Sequence, residues 1–81
     1  MNTVLIVDDE LIIRQGLQCI IDWDKFGFEI IGEASNGEEA LRLILQKNPD
    51  VVMMDIRMPK LPGLEVVKQA REKGYKGKVI I

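Results

Sequence analysis

Two short apolar runs, Val4-Leu5-Ile6-Val7 and Val51-Val52-Met53-Met54, each end directly in carboxylates: Asp8-Asp9 after the first, Asp55 after the second. A continuous β-branched and Leu run without polar alternation is the pattern of a strand buried on both faces of a sheet. A chain with such strands must cover both sides of its sheet, so the segments between them are constrained as well. The acids at the strand ends add a second constraint. Two like charges about 4 Å apart repel by about 4 kcal/mol at an effective dielectric of about 20, so gathered carboxylates call for a shared cation. A hard divalent ion with oxygen ligands fits, and that points to metal-dependent phosphate chemistry.

The intervening segments read as helices. From Glu10 onward, Ile13, Leu17, Ile20 and Ile21 recur at helical spacing while Arg14, Gln15 and Gln18 fall elsewhere on the wheel, which predicts helix one ending near Asp22. Asp22 to Phe28 is a connector with three aromatics, read as a local cluster covering the base of the sheet, and Glu29 to Ala34 is a second strand. Ser35 or Asn36 caps helix two, whose first turn carries Glu38 and Glu39 and whose apolar stripe is Ala40, Leu41, Ile44 and Leu45. Helix two stops before Asn48-Pro49, because the residue preceding a proline disfavours helical dihedrals. Val51 to Met54 is the third strand, with Met53 and Met54 as core filling. After a loop from Ile56 to Pro62, helix three runs from about Gly63 to Lys73 with Leu64, Val67 and Ala70 on one face and Gly74 as its stop. Val79 to Ile81 opens strand four. The alternation βαβαβαβ implies an α/β fold with a parallel sheet.

Composition removes several classes of function. The single Cys19 offers no disulfide framework, and the absence of histidine excludes His-based zinc sites and Ser-His or Cys-His catalysis. A net charge of -2 gives no general attraction to nucleic acid or to an anionic membrane. The apolar run after Met1-Asn2-Thr3 is too short for a signal peptide or a membrane span, so a cytoplasmic location is the default expectation.

Right-handed crossovers from strand one to two, then back past strand one to three, put the first two helices on opposite faces and make strands one and three neighbours. In a doubly wound sheet the crevice lies at that switch point, outside the carboxyl ends, where Asp8, Asp9 and Asp55 are expected to meet. Magnesium takes one or two carboxylates with waters and phosphate oxygens, which leaves one acid free as a nucleophile toward a phosphoryl group. Asp55, alone at its strand end, is the better candidate.

The chain strongly resembles the receiver domain of two-component response regulators in Val4-Leu5-Ile6-Val7-Asp8-Asp9-Glu10, in Asn36-Gly37-Glu38-Glu39-Ala40-Leu41 and above all in Asp55-Ile56-Arg57-Met58-Pro59 with Gly63. The resemblance implies a flavodoxin-like, doubly wound sheet in the order 2-1-3-4-5, of which residues 1–81 supply four strands and three helices. The expectation is therefore a partial receiver, truncated after strand four, with the remainder of the receiver and an output domain absent. By the same resemblance Asp55 is the phosphoacceptor and also a metal ligand, Asp9 the direct Mg2+ ligand, Asp8 the acid holding the metal through water, and Arg57 a ligand through its backbone carbonyl. Met58, Pro59 and Gly63 shape the loop beside the site. The family's switch Ser or Thr and its conserved Lys are absent from the chain, and Lys60, Lys76 and Lys78 read as solvated surface charge.

The implied partner is a sensor histidine kinase. The aromatic connector and the segment from Phe28 to Leu41 resemble receivers joined to AraC-type helix-turn-helix output domains, so DNA contact is expected only through such a domain. An uncovered sheet face and the free edge of strand four imply self-association. Two rivals stand beside this reading. An aspartate-nucleophile phosphohydrolase normally carries a second acid two residues after its nucleophile, where this chain has Arg57 after Asp55 and Glu10 after Asp8. An excised folding or design fragment would have no activity of its own.

Overall fold

Asn2–Val7 forms β1, and its last four residues are at most 2% exposed, as a strand apolar on both sides requires. Leu11–Ile20 (α1), Phe28–Ala34 (β2), Gly37–Lys47 (α2), Val51–Met54 (β3), Gly63–Glu72 (α3) and Lys78–Ile80 (β4) follow, with a single 3-10 turn at Asp24–Phe26. This structure, a computed structural model, describes residues 1–81. The strands make one parallel sheet in the order β2-β1-β3-β4, so the chain reverses its winding between β1 and β3 as the alternation implied. Between Val4 and Leu5 the register with β2 jumps from Ile30 to Gly32. The bulged Ile31 restores the pairing of Val7 with Ala34, and the ladder then continues from the Asp8 N–H to the Ala34 carbonyl at 3.1 Å.

The main core cluster lies on one face, with Val4 and Ile6 of β1 fully buried on the other. Leu5 and Val7 of β1 and Val52 and Met54 of β3 meet Ala40 and Ile44 of α2 and Val66 and Ala70 of α3, with Ala34, Met58 and Tyr75 closing the cluster. Asn36 caps α2 by accepting the Glu39 N–H at 2.9 Å, while the Glu39 carboxylate reaches back to the Ser35 N–H at 2.8 Å. The stop at Gly74 is a left-handed cap: its φ is +95°, its N–H bonds Arg71, and the Tyr75 N–H bonds Ala70. Tyr75 then folds back onto Ala70 and donates its hydroxyl to the Pro49 carbonyl at 2.6 Å.

Three stripes differ from their sequence pattern. Helix one ends at Ile20 rather than near Asp22, and none of its residues is buried; Ile13 is 43% and Ile20 85% exposed. Leu17 and Ile21 of the expected stripe are half-buried, but so are Arg14, Gly16 and Gln18, because Arg14 and Gln18, one turn apart, both reach Glu33 on β2 and turn α1 toward it. On α3 the inward line is Gly63, Val66 and Ala70, and Leu64 is 61% exposed. A Cβ on Gly63 would stand 3.0 Å from the Asp55 carbonyl oxygen and from Ile56 Cα, so this close approach fixes where α3 begins and which side it turns inward. On α2, Ala40 and Ile44 are buried and Leu41 packs against the core, but Leu45 is exposed. Of the connector aromatics, Trp23 and Phe28 meet edge to face at 6.3 Å, while Phe26 faces solvent. Met54 lies in the core and Met53 on the opposite face, half-buried.

Candidate functional site

β1 and β3 run side by side through Val7 and Met54, and the Asp55 N–H continues their ladder by donating to the Val7 carbonyl at 3.0 Å. Asp8 and Asp55 therefore leave adjacent strands at the same level. Both line a cavity of about 290 Å³ on the α1 side of the sheet, together with Leu17 of α1, Met53 and Ile80. These are two of the three acids expected at the switch point, and they share this cavity.

Asp9, the third acid, clusters with Asp8. The carboxylates of Asp8, Asp9 and Glu10 lie within 4.8 Å of one another, and Asp55 is not among them. Sequence reasoning missed Glu10 as a member of this cluster, although its position directly after Asp8-Asp9 was the available signal. The turn is held from within, since Asp8 Oδ1 accepts the Glu10 N–H at 2.9 Å. Asp8 is half-buried, and Asp9 and Glu10 are exposed. The donor set consists of carboxylate oxygens without sulfur or imidazole, which suits Mg2+ and excludes softer metals by preference.

Asp55 is oriented by its own loop. Its Oδ1 accepts the Arg57 N–H at 3.1 Å, and Oδ2 has no protein hydrogen bond. The loop closes where the Gly63 N–H bonds the Ile56 carbonyl at 3.0 Å, and Met58 plugs it into the core at 8% exposure. Beyond Pro59, Lys60 takes a left-handed φ of 71° at the centre of a tight turn closed by the Leu61 N–H on the Pro59 carbonyl at 2.9 Å. Gly37 lets this loop approach α2, because any Cβ there would overlap the Leu61 carbonyl. Met58, Pro59 and Gly63 thus stand where the sequence pattern expected a loop beside the site. Lys60, Lys76 and Lys78 are all exposed.

Behind the acidic turn, Arg14 donates from Nη1 to the Asp8 carbonyl and from Nε to Glu33, each at 2.6 Å, and Gln18 donates to the other Glu33 oxygen at 2.9 Å. The Arg14 hydrogen bond, seconded by that of Gln18, holds the Glu33 carboxyl below the usual carboxylate range.

A parallel doubly wound sheet with acids at the carboxyl ends of its neighbouring first and third strands has the flavodoxin-like architecture, whose crevice lies at that switch point. Residues 4–81 match the sequence profile of the response regulator receiver domain, and the chain belongs to that family. It is 49% identical over 73 residues to the transcriptional regulatory protein YdfI of Bacillus subtilis (strain 168), covering 90% of this chain and 34% of YdfI. The chain thus spans about a third of that relative's length. It also resembles the REC domain of AraT, a response regulator from Geobacillus stearothermophilus, with 47% identity and a TM-score of 0.88 over 95% of this chain and 60% of that one. A chain of the CheX-CheY-BeF3-Mg+2 complex from Borrelia burgdorferi matches with 35% identity and a TM-score of 0.83, over 96% of this chain and 58% of that one. No helix is long and apolar enough to cross a membrane.

Proposed function

We propose that this chain is the phosphoacceptor of a two-component signalling protein and takes a phosphoryl group on Asp55 with the help of Mg2+. The observation that carries this reading is the placement of Asp55 beside Asp8 on one cavity, with Oδ1 occupied by the Arg57 N–H and Oδ2 free. A carboxylate held by one oxygen presents the other in a fixed direction, which favours its use as a nucleophile. Oδ2 attacks phosphorus, the bond from phosphorus to the donor nitrogen or oxygen breaks, and its electron pair leaves with the donor. The product is an acyl phosphate on Asp55.

Asp8 and Asp9 would hold the metal, with the Arg57 carbonyl as a further ligand, and Glu10 adds charge to the same turn. When bound, Mg2+ offsets the negative charge of the phosphoryl oxygens and of the carboxylates around them. The kinship with a complex whose name includes BeF3 and Mg+2 supports this assignment.

The donor in the cell is a sensor histidine kinase, and the chain itself is not an enzyme in this reading. The parent protein regulates transcription in the cytoplasm and contacts DNA through an AraC-type output domain; the kinship with YdfI, a transcriptional regulatory protein, supports the first part, and that with a two component transcriptional regulator AraC from Clostridium phytofermentans the second. A phosphohydrolase is disfavoured because Arg57, whose N–H serves Asp55, occupies the position its second acid would take.

Incubation with Mg2+ and acetyl phosphate, followed by intact-mass spectrometry, is expected to add one phosphoryl group, and Asp55→Asn is expected to abolish the addition. Modification that persists in Asp55→Asn removes Asp55 from the acceptor role. An unmodified wild type would instead favour a fragment without activity.

A further inference from the structure

We infer that Arg14 is a positioning residue for the metal centre: its guanidinium fixes the Asp8–Glu10 turn from behind, while Glu33 cancels its charge so that it does so without repelling a cation. This rests on the reading of that turn as a Mg2+ site.

Asp8 is the last residue of β1's ladder, where a strand's carbonyl loses its regular partner. Its N–H is taken by Ala34 at 3.1 Å, one carboxylate oxygen by the Glu10 N–H at 2.9 Å, and its carbonyl by Arg14 Nη1 at 2.6 Å. The Arg14 bond is what fixes the peptide plane leading into Asp9. Without it that plane is held only through the Asp8 and Glu10 N–H bonds on either side, and the Asp9 carboxylate is less firmly placed. Groups that orient metal ligands in this way commonly matter as much as roughly tenfold or more in metal affinity.

A positive charge this close to three carboxylates is an unusual choice for a cation site, since it competes with the ion for the same field. The competition is removed locally. Arg14 Nε is spent on Glu33 Oε1 at 2.6 Å, and Gln18 holds Glu33 Oε2 at 2.9 Å. The Arg14 side chain is only 12% exposed, so its charge is weakly screened by solvent and needs a partner of its own. The two acceptors are met by different nitrogens of one rigid planar fork, whereas the three donors of an ammonium all radiate from a single nitrogen that would have to reach both acceptors itself. Arg14 and Gln18 lie one turn apart on α1 and Glu33 lies on β2, so the helix and the strand jointly brace the turn at the end of β1.

The test is calorimetric titration of Mg2+ into folded wild type, Arg14→Met, Arg14→Lys and Glu33→Gln, with Asp9→Ala as the reference for a lost ligand. Thermal midpoints are measured alongside in EDTA. Arg14→Met is expected to weaken Mg2+ binding roughly tenfold or more, and Arg14→Lys to recover little of it. Glu33→Gln keeps the arginine but frees its charge; its affinity is expected to fall at low salt and to approach the wild-type value as salt screens that charge. If Arg14→Met lowers only the midpoint in EDTA and binds Mg2+ like wild type, Arg14 merely pins α1 to β2 and the positioning role is overturned. If Arg14→Met does not fold, a Glu33→Gln affinity equal to wild type at low salt overturns it as well. Wild type that takes up no Mg2+ overturns the metal reading itself, and the positioning role with it.

Discussion

On the α2 and α3 side of the sheet, Leu5, Val7, Val52 and Met54 meet Ala40, Ile44, Val66 and Ala70, and none of the eight is more than 4% exposed. On the α1 side no helical residue is buried, and Ile12 and Ile20 stand 79% and 85% exposed. The same strands feed both faces, so the difference lies in the covering helices. Side chains on α2 and α3 are small or branched where they touch the sheet, which permits close packing. α1 turns Arg14 and Gln18 toward β2 and is held by polar contacts to Glu33 and to the Asp8 carbonyl. The cavity shared by Asp8 and Asp55 lies on this second side. Val4 and Ile6 of β1 are fully buried on the α1 side too, so both faces are covered, but there the covering helix contributes no buried residue of its own and is held in part by polar contacts.

The sharpest test of this difference is a pair of truncations. Ile44→Ala is expected to cost about 2 to 5 kcal/mol, because it leaves a cavity in a face that cannot collapse, whereas Ile20→Ala is expected to change stability by no more than about 0.5 kcal/mol. Urea unfolding of the two variants measures both, and comparable losses would mean that α1 is part of the core after all.

A smaller effect concerns association. Leu11, Ile12, Ile20, Phe26 and Ile80 are all large, apolar and exposed, and we expect sedimentation at high micromolar concentration to show a dimer or larger species. Ile12→Glu combined with Ile20→Glu is expected to shift the protein to monomer with no loss in its unfolding midpoint. A compact wild-type monomer at that concentration would show that the exposed side chains do not form a sticky surface.

What the sequence made legible divides along the same line. The buried strands could be read because a residue that faces apolar neighbours on both sides must itself be apolar, and the acids could be placed because a strand end has a fixed direction. The cap of α2, legible as Ser35 or Asn36 and found at Asn36, and the stop at Gly74 could be read for local reasons, one as a side-chain acceptor and the other as a left-handed residue. The rotation of α1 was not legible, since the partner that sets it, Glu33, lies on another element and looks in isolation like an ordinary exposed strand residue. Leu64 was misplaced for a similar reason: periodicity proposes a stripe, but the approach of Gly63 to the backbone of Asp55 and Ile56 decides which stripe turns inward. The bulge at Ile31 and the left-handed Lys60 depend on register and loop closure, which no single residue announces.

The smallest expected effect tests the polar attachment of α1 directly. Hydrogen bonds from Arg14 first and Gln18 second lower the Glu33 pKa below its ordinary 4.5, against a weaker opposing push from desolvation. A carboxyl whose folded pKa is lowered takes up its proton more readily in the unfolded chain. Its stabilising contribution is therefore complete above 4.5 and is lost as pH falls through the folded value. Removing the donors should remove that pH dependence, so wild-type stability is expected to fall more steeply below 4.5 than that of Arg14→Met, with the gap between them narrowing as Glu33 is protonated. The effect is small because the Glu33 side chain is 40% exposed and water screens the pair. Denaturation midpoints measured on either side of that pH decide the matter: curves that stay parallel would mean that Glu33 contributes nothing to holding α1, and that something other than this clamp keeps the helix on its face.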